Sequence, residues 1–288
     1  MTLNVGFIGV GNIGMVMAKS ILKAGIPLAA YDINEQAVAE IEAAGARAMK
    51  SCREVMEASD AVITMVRDTA QTEKVVFGEN GLWEGAKEGS IIILASTIGP
   101  DYPRELHRKG KEKGIRVLDM GVTKNIYTNE IGQFTLMVSG DDDVIDKCWP
   151  VFTAMGRIVF RAGKIGYAQA YKLINNMMAF NLGSVLHECL NVGLKAGLDM
   201  KMMLDIMHEG TGASWMANSM RNLIASGRRR RLPKMDDTRK PARFINKDQV
   251  LALELAEKVG AKVPLAKLIE QLDEAETYDS FISFMSGE

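Results

Sequence analysis

The chain has 288 residues, of which 47% are hydrophobic and 25% charged, with a formal charge of -1. That length exceeds one ordinary core and the composition is that of a folded globular protein, so disorder and collagen-like architectures are excluded and two domains are expected. Charge is unevenly placed: Arg221 to Lys247 carries ten Lys or Arg against Asp236 and Asp237, a local +8 that leaves -9 for the rest.

From residue 3 to about 161, short β-rich runs alternate with helical patterns, the mark of a parallel sheet with crossover helices. The runs are Leu3 to Ile8, Pro27 to Tyr31, Ala61 to Val66, Ile91 to Leu94, Arg116 to Asp119, Phe134 to Ser139 and Arg157 to Phe160. Between the first two, Ile13, Val16, Met17, Ser20, Ile21 and Ala24 recur at helical spacing and Gly25 supplies a left-handed stop, giving a βαβ unit. After Gly163 the character changes. Tyr167 to Ala196 reads as one helix of about thirty residues, roughly 45 Å long and apolar over most of its circumference, which further helices and a second subunit are expected to cover. Met200 to Glu209, Ser214 to Ala225, Asn246 to Val259 and Leu265 to Ala275 are the remaining predicted helices.

Gly9-Val10-Gly11-Asn12-Ile13-Gly14 is a GxGxxG between the first predicted strand and its helix. Gly9 permits the tight turn, Gly11 lets the backbone approach a pyrophosphate, and Gly14 lets helix and strand pack closely, with the helix N-terminus facing the phosphates. The motif alone is weak evidence. The next strand, however, leads into Asp32, eighteen positions after Gly14, where a carboxylate accepts hydrogen bonds from ribose hydroxyls and repels a 2′-phosphate. NAD is therefore the expected cofactor, in preference to NADP. The alternative is that the glycines only make a turn and Asp32 caps the following helix; such a domain also binds FAD or serves as a sensor in other settings.

The second informative stretch runs from Gly163 to Asn176. Its glycine-rich entry places Lys172 about a turn and a half into the long helix, with Asn176 four residues on and on the same face. An amine and an amide among Met, Leu and Phe are costly without a task or partners. Alcohol oxidation needs a base for the hydroxyl proton, and a lysine in a partly desolvated site suits that role. Taken alone, Lys172 also reads as a snorkelling surface lysine.

Gly6 to Gly25 resembles the opening of the β-hydroxyacid dehydrogenase family, the 3-hydroxyisobutyrate dehydrogenase-like enzymes. Gly163 to Asn176 resembles that family's catalytic segment, Lys247-Asp248 with Leu251-Ala252-Leu253 its late lysine motif, and Ser96-Thr97-Ile98 its Ser-Thr pair after a sheet strand. The resemblance implies an α/β fold: a Rossmann-type NAD-binding domain, placed at 1–162, followed by an all-α substrate and dimerisation domain at 163–288 built on the long helix. It implies Lys172 as general acid/base and Asn176 as the amide orienting the substrate. Asn12, Ile13, Asp32, Val66 and Thr97 would touch the cofactor, and Lys247 would lie near its nicotinamide end. Assembly as a homodimer or homotetramer is implied as well.

The family commonly holds the substrate carboxylate with Asp-Ala-Pro-Val-Ser-Gly-Gly; here the stretch is Asp119-Met120-Gly121-Val122-Thr123-Lys124-Asn125. Thr123 keeps a hydroxyl donor, while Lys124 replaces a glycine and is predicted, with Asn125, to bind a second carboxylate or sulfonate on the substrate. The alternative is a solvent-facing lysine in a rebuilt loop. Ala168 stands where a glycine is usual. Arg228 to Arg231 and Arg243 read as a solvated loop, as a lure for anionic substrate at a cleft mouth, or as a dock for an acidic partner or nucleic acid. Nucleic acid is not the expected partner.

Cys52, Cys148 and Cys189 are far apart, without CxxC or Cys/His spacing, so no disulfide framework and no metal are expected. His107, His187 and His208 have no motif around them and are read as structural. The sequence opens Met-Thr-Leu-Asn with no basic leader, and no run approaches eighteen apolar residues; a cytoplasmic protein without a membrane span is expected. The leading function is an NAD-dependent oxidoreductase of a small hydroxy acid bearing an extra anionic group. A 3-hydroxyisobutyrate or succinic-semialdehyde-type enzyme, an imine-reducing relative and a catalytically silent nucleotide-binding protein are the alternatives.

Overall fold

A computed structural model describes residues 3–124, 132–227, 247–272 and 279–286. The chain divides into two compact units, Met1–Lys172 and Leu173–Glu288.

The first unit is built on one eight-stranded sheet. Its strands are β1 (Val5–Ile8), β2 (Leu28–Tyr31), β3 (Arg47–Ala48), β4 (Ala61–Thr64), β5 (Ile91–Leu94), β6 (Arg116–Lys124), β7 (Phe134–Ser139) and β8 (Gly156–Gly163), in the order β3-β2-β1-β4-β5-β6-β7-β8. Neighbours are parallel except β6 and β7, which run antiparallel. The sheet is thus mixed rather than wholly parallel, and a two-residue strand, β3, joins an edge without any apolar run to announce it. Helices over both faces explain why β5 reads as an unbroken apolar run: Ile91 and Ile93 enter one core with Phe7, Ile21 and Phe152, and Ile92 and Leu94 enter the other with Ile8, Val55 and Leu106. Each such buried side chain contributes about 1.5–3 kcal/mol. Strand order reverses between β1 and β4, the place in an open α/β sheet where ligands bind at the carboxyl ends of the strands.

The strand expected to end at Asp119 continues to Lys124, because residues 119 to 124 pair one by one with β7, from Asp119 opposite Ser139 to Lys124 opposite Phe134. Lys124 therefore ends a paired strand and does not lie in a rebuilt loop.

The second unit is helical. It contains the helix Tyr167–Lys195 from Leu173 onward, then Met200–Glu209, Trp215–Ala225, Lys247–Lys258, Pro264–Gln271 and Asp279–Ser286. Asp199 and Ser214 cap the second and third by accepting from Met202 and Ala217 backbone N–H groups. The core gathers Leu186, Leu190, Met203, Leu204, Phe281 and Met285. A Cβ at Gly193 would stand 2.0 Å from the Met203 sulfur, so the glycine admits that neighbour. His187 stacks on Phe281 with ring centroids 4.5 Å apart. No helix among the described residues is long and apolar enough to cross a membrane.

Candidate active site

The turn between β1 and the helix Asn12–Lys23 is made by its glycines. Gly9 has φ +92°, and a Cβ there would lie 2.2 Å from the Met65 carbonyl oxygen at the end of β4. A Cβ on Gly14 would lie 1.9 Å from the Gly9 carbonyl oxygen, whereas one on Gly11 would meet nothing within 4 Å. Two glycines are thus demanded by crowding within the protein, and the third opens outward. Gly11 is the N-cap and no side chain caps this helix, so its first N–H groups are available to an anion. Asn12 is exposed and Ile13 half-buried at that opening.

Asp32 follows β2, and one of its oxygens accepts from the Asn34 N–H at 2.8 Å. It does not cap the next helix: Asn34 does, accepting from Gln36 and Ala37. Val66 follows β4, and its N–H donates to the buried Ser96 hydroxyl at 2.9 Å. Thr97 is half-buried just after β5. Outward-opening N–H groups beside a carboxylate at the strand-order reversal fit a dinucleotide: pyrophosphate at the helix end, ribose hydroxyls at Asp32.

On β6, side chains alternate between faces, so Asp119, Gly121 and Thr123 share one and Met120, Val122 and Lys124 the other. A Cβ on Gly121 would lie 2.8 Å from the Ala168 carbonyl oxygen and 3.0 Å from the Lys172 Cβ. The glycine therefore lets the stem of Lys172 press against β6 on the face that carries Thr123. Lys124 leaves the opposite face.

Asp119 is fully buried and accepts from the Ser139 hydroxyl and from the Gly166 and Gln169 backbone N–H groups, the latter two at 2.7 and 3.0 Å. Burial pushes its carboxyl above the usual range while these donors pull it back. Ser139 also accepts from the Ala168 N–H at 3.0 Å. Gln169, equally buried, donates to the Ser96 carbonyl at 3.0 Å and accepts from the Ile98 N–H at 3.1 Å.

In the second unit, Asn176 donates to Asp248 at 2.7 Å, and Lys247 donates to the other oxygen of the same carboxylate at 2.9 Å. Asp248 is 7% exposed, so the amide and the ammonium are held by a nearly buried anion. Asn125, the arginines Arg228 to Arg231 and Arg243 lie outside the described residues.

Residues 4–164 match the family described as the NAD binding domain of 6-phosphogluconate dehydrogenase, and residues 166–278 match the NAD-binding of NADP-dependent 3-hydroxyisobutyrate dehydrogenase. The chain is 34% identical to the NAD-dependent L-serine dehydrogenase of Pseudomonas aeruginosa over 211 residues, covering 73% of this chain and 71% of that protein. It is 31% identical to the 2-(hydroxymethyl)glutarate dehydrogenase of Eubacterium barkeri over 275 residues, covering 95% and 89%. The crystal structure of 3-hydroxyisobutyrate dehydrogenase from Salmonella typhimurium superposes with a TM-score of 0.79 at 25% identity, covering 98% of this chain and 99% of that one. The chain belongs to the β-hydroxyacid dehydrogenase family. As a member of that family it is an oxidoreductase with an NAD(P)-binding domain.

Within this β-hydroxyacid dehydrogenase the glycine turn, Asp32, Val66, Thr97, Thr123 and Lys172 belong to the first unit, and Asn176 and Lys247 to the second. Sequence reasoning missed the buried hydrogen bonds of Asp119, Ser139 and Gln169 that join the start of the long helix to the sheet. Their signal was faint: a carboxylate, a hydroxyl and an amide, each in a segment that otherwise reads as buried.

Proposed function

We propose that this chain interconverts a small β-hydroxy acid and its aldehyde using NAD(H), with Lys172 as the general acid/base. The observation that carries the reading is the packing of the Lys172 stem against Gly121, on the β6 face shared with Thr123. The bound dinucleotide would supply the hydride donor or acceptor. On oxidation the Lys172 amine takes the hydroxyl proton; on reduction its ammonium returns a proton to the carbonyl oxygen. Thr123 donates a hydroxyl hydrogen bond to the substrate carboxylate. Asn176, one helical turn from Lys172, orients the acid through an amide whose NH2 is fixed on Asp248. Asp32 takes the ribose hydroxyls and favours NAD over NADP, and Lys247 touches the nicotinamide end.

The names of the relatives supply a substrate class. L-serine, 3-hydroxyisobutyrate and 2-(hydroxymethyl)glutarate are all 3-hydroxypropanoates that differ in the group on C2: ammonium, methyl or carboxyethyl. Lys124 would repel the first and attract the third, so the proposed substrate carries an anionic C2 arm, a carboxylate or sulfonate. The charge supports this reading and the strand register opposes it, since the Lys124 side chain must turn round the end of β6 to reach an acid lying by Thr123.

The test is a panel of 3-hydroxypropanoates with cationic, neutral and anionic C2 groups, assayed with NAD and NADP by NADH absorbance. Turnover is expected with NAD and highest for the anionic arm. Lys172→Ala should lower kcat about a thousandfold with NADH binding kept; retained turnover would remove Lys172 from the chemistry. Lys124→Ala should raise KM only for the anionic-arm substrates, and an equal rise for neutral ones would discard the second-anion reading.

A further inference from the structure

Three buried polar side chains tie the start of the lysine-bearing helix to the sheet. Asp119 on β6 accepts from the N–H groups of Gly166 and Gln169, Ser139 on β7 accepts from Ala168 while donating to Asp119, and Gln169 bonds the backbone on both sides of Thr97. The loop so held is itself joined to the end of β4, because Ser96 receives the Val66 N–H. Asp119 and Gln169 are each 0% exposed, so none of these bonds competes with water, and a missing partner would leave a buried donor or acceptor unmet.

These bonds lie one turn before Lys172. Gln169 precedes it by three positions, and the Gly121 contact admits its Cβ two residues along β6 from Asp119. Helix register is stiff over that distance, so whatever fixes residues 166 to 169 fixes the origin of the Lys172 stem. Helix N-termini are ordinarily capped by the residue just outside them. Here the Tyr167 N–H turns back to the Lys164 carbonyl, while the Ala168 and Gln169 N–H groups are taken by Ser139 and Asp119 of the sheet, which ties the position of the helix to the strands and not merely to its own fraying equilibrium.

We propose that Gln169 and Asp119 are positioning residues for the reaction: through the first turn of the helix they set the place of Lys172 relative to the loop at Thr97 and the strand face at Thr123. Neither touches the substrate. The inference rests on the reading of Lys172 as the acid/base and adds what determines its geometry. A reacting group displaced by about 1 Å costs on the order of a hundredfold in rate, which is the effect expected when the clamp is loosened without unfolding the domain.

The experiment compares Gln169→Ala, Lys172→Ala and the double variant in the holoenzyme. Gln169→Ala is expected to lower kcat about a hundredfold, with substrate KM and NADH affinity within about threefold of wild type, and to raise the deuterium isotope effect measured with 4-deuterated NADH. Gln169→Glu sets a carboxyl oxygen against the Ser96 carbonyl in a fully buried site, so it should be no faster than Gln169→Ala. If Gln169 acts through Lys172, the double variant is no slower than Lys172→Ala alone. A kcat within threefold of wild type, losses that multiply in the double variant, or a rate loss matched by lost NADH binding overturns the proposal. Full activity in Lys172→Ala overturns the acid/base reading instead, whatever Gln169→Ala does. Should Gln169→Ala fail to fold, Ser139→Ala removes one donor and one acceptor from the same clamp; about a tenfold fall confined to kcat supports the proposal, and unchanged kcat overturns it.

Discussion

The two units of this chain solve the same burial problem differently. In the first, a sheet shielded on both faces puts Ile91 to Leu94 at 0–1% exposure and closes two separate cores. Among its described residues the second gathers one smaller core, and leaves Ile174, Met178, Val192, Met202, Ile206, Val259 and Leu268 more than half exposed. A sheet with helices on both sides is self-sufficient, whereas a few helices around a long one run out of partners before they run out of apolar surface. We propose that the exposed apolar residues of the long helix, Ile174, Met178, Val185 and Val192, pack against a second copy of this chain. The difference also separates residues: the first unit carries the dinucleotide turn at its strand ends and Lys172 in the first turns of the long helix, and the second carries Asn176 further along that helix and Lys247 at the start of another.

The largest expected effect falls on the smaller core. Phe281 is 1% exposed, stacks on His187, and its N–H donates to Asn191 at 3.0 Å. Phe281→Ala should destabilise the protein by about 3–5 kcal/mol, seen as a melting transition lowered by several degrees, with the dinucleotide site intact below it. A melting temperature within about 2 °C of wild type would mean the second unit does not depend on this core, and the contrast drawn above would fail.

Next in size is a change to binding alone. Asp32 is half-buried, and within the protein one of its oxygens holds the Asn34 N–H. Asp32→Ala should weaken NAD by about 1.5–3 kcal/mol, the range for hydrogen bonds to a charged group, and narrow or reverse the preference over NADP. Unfolding should shift little, because no core contact is lost. Unchanged NAD affinity measured by fluorescence titration would remove Asp32 from the cofactor site. With Phe281→Ala, this pair would show stability and cofactor binding residing in different units.

How much of this was legible in the sequence follows from the range of the interactions. The glycine turn and Asp32 were legible because backbone curvature and strand ends are local, written within some twenty residues. The long helix was readable as a continuous segment apolar over most of its circumference, and Met200–Glu209 as a shorter helical pattern after it. The extension of β6 was not, since Gly121 and Lys124 break the apolar pattern and only pairing with β7 makes the segment a strand. Nor was the last helix, Asp279–Ser286, whose aromatic and small residues give a poor local signal until Phe281 and Met285 find a core. Asp119 and Gln169 were missed for the same reason: their partners lie 20 to 73 residues away, and a lone carboxylate in a strand does not say what it will meet.

The smallest effect is chemical and reads the contrast directly. Cys52 and Cys148 belong to the first unit and are buried, which pushes their thiols up to about 11 and about 12. At pH 8 only about one in a thousand Cys52 side chains would be thiolate, the reactive form, and the fraction stays small until the pH nears 11. Cys189 in the second unit is exposed, on the stretch of the long helix that also exposes Val185 and Val192. A disulfide reagent at pH 8 should therefore titrate one thiol quickly in dilute native protein and all three only after unfolding. If the exposed stripe is where a second copy packs, the fast thiol should slow as protein concentration rises. A rate independent of concentration would place the assembly surface elsewhere on the second unit, and two fast thiols would show that the first unit opens more readily than its closed cores imply.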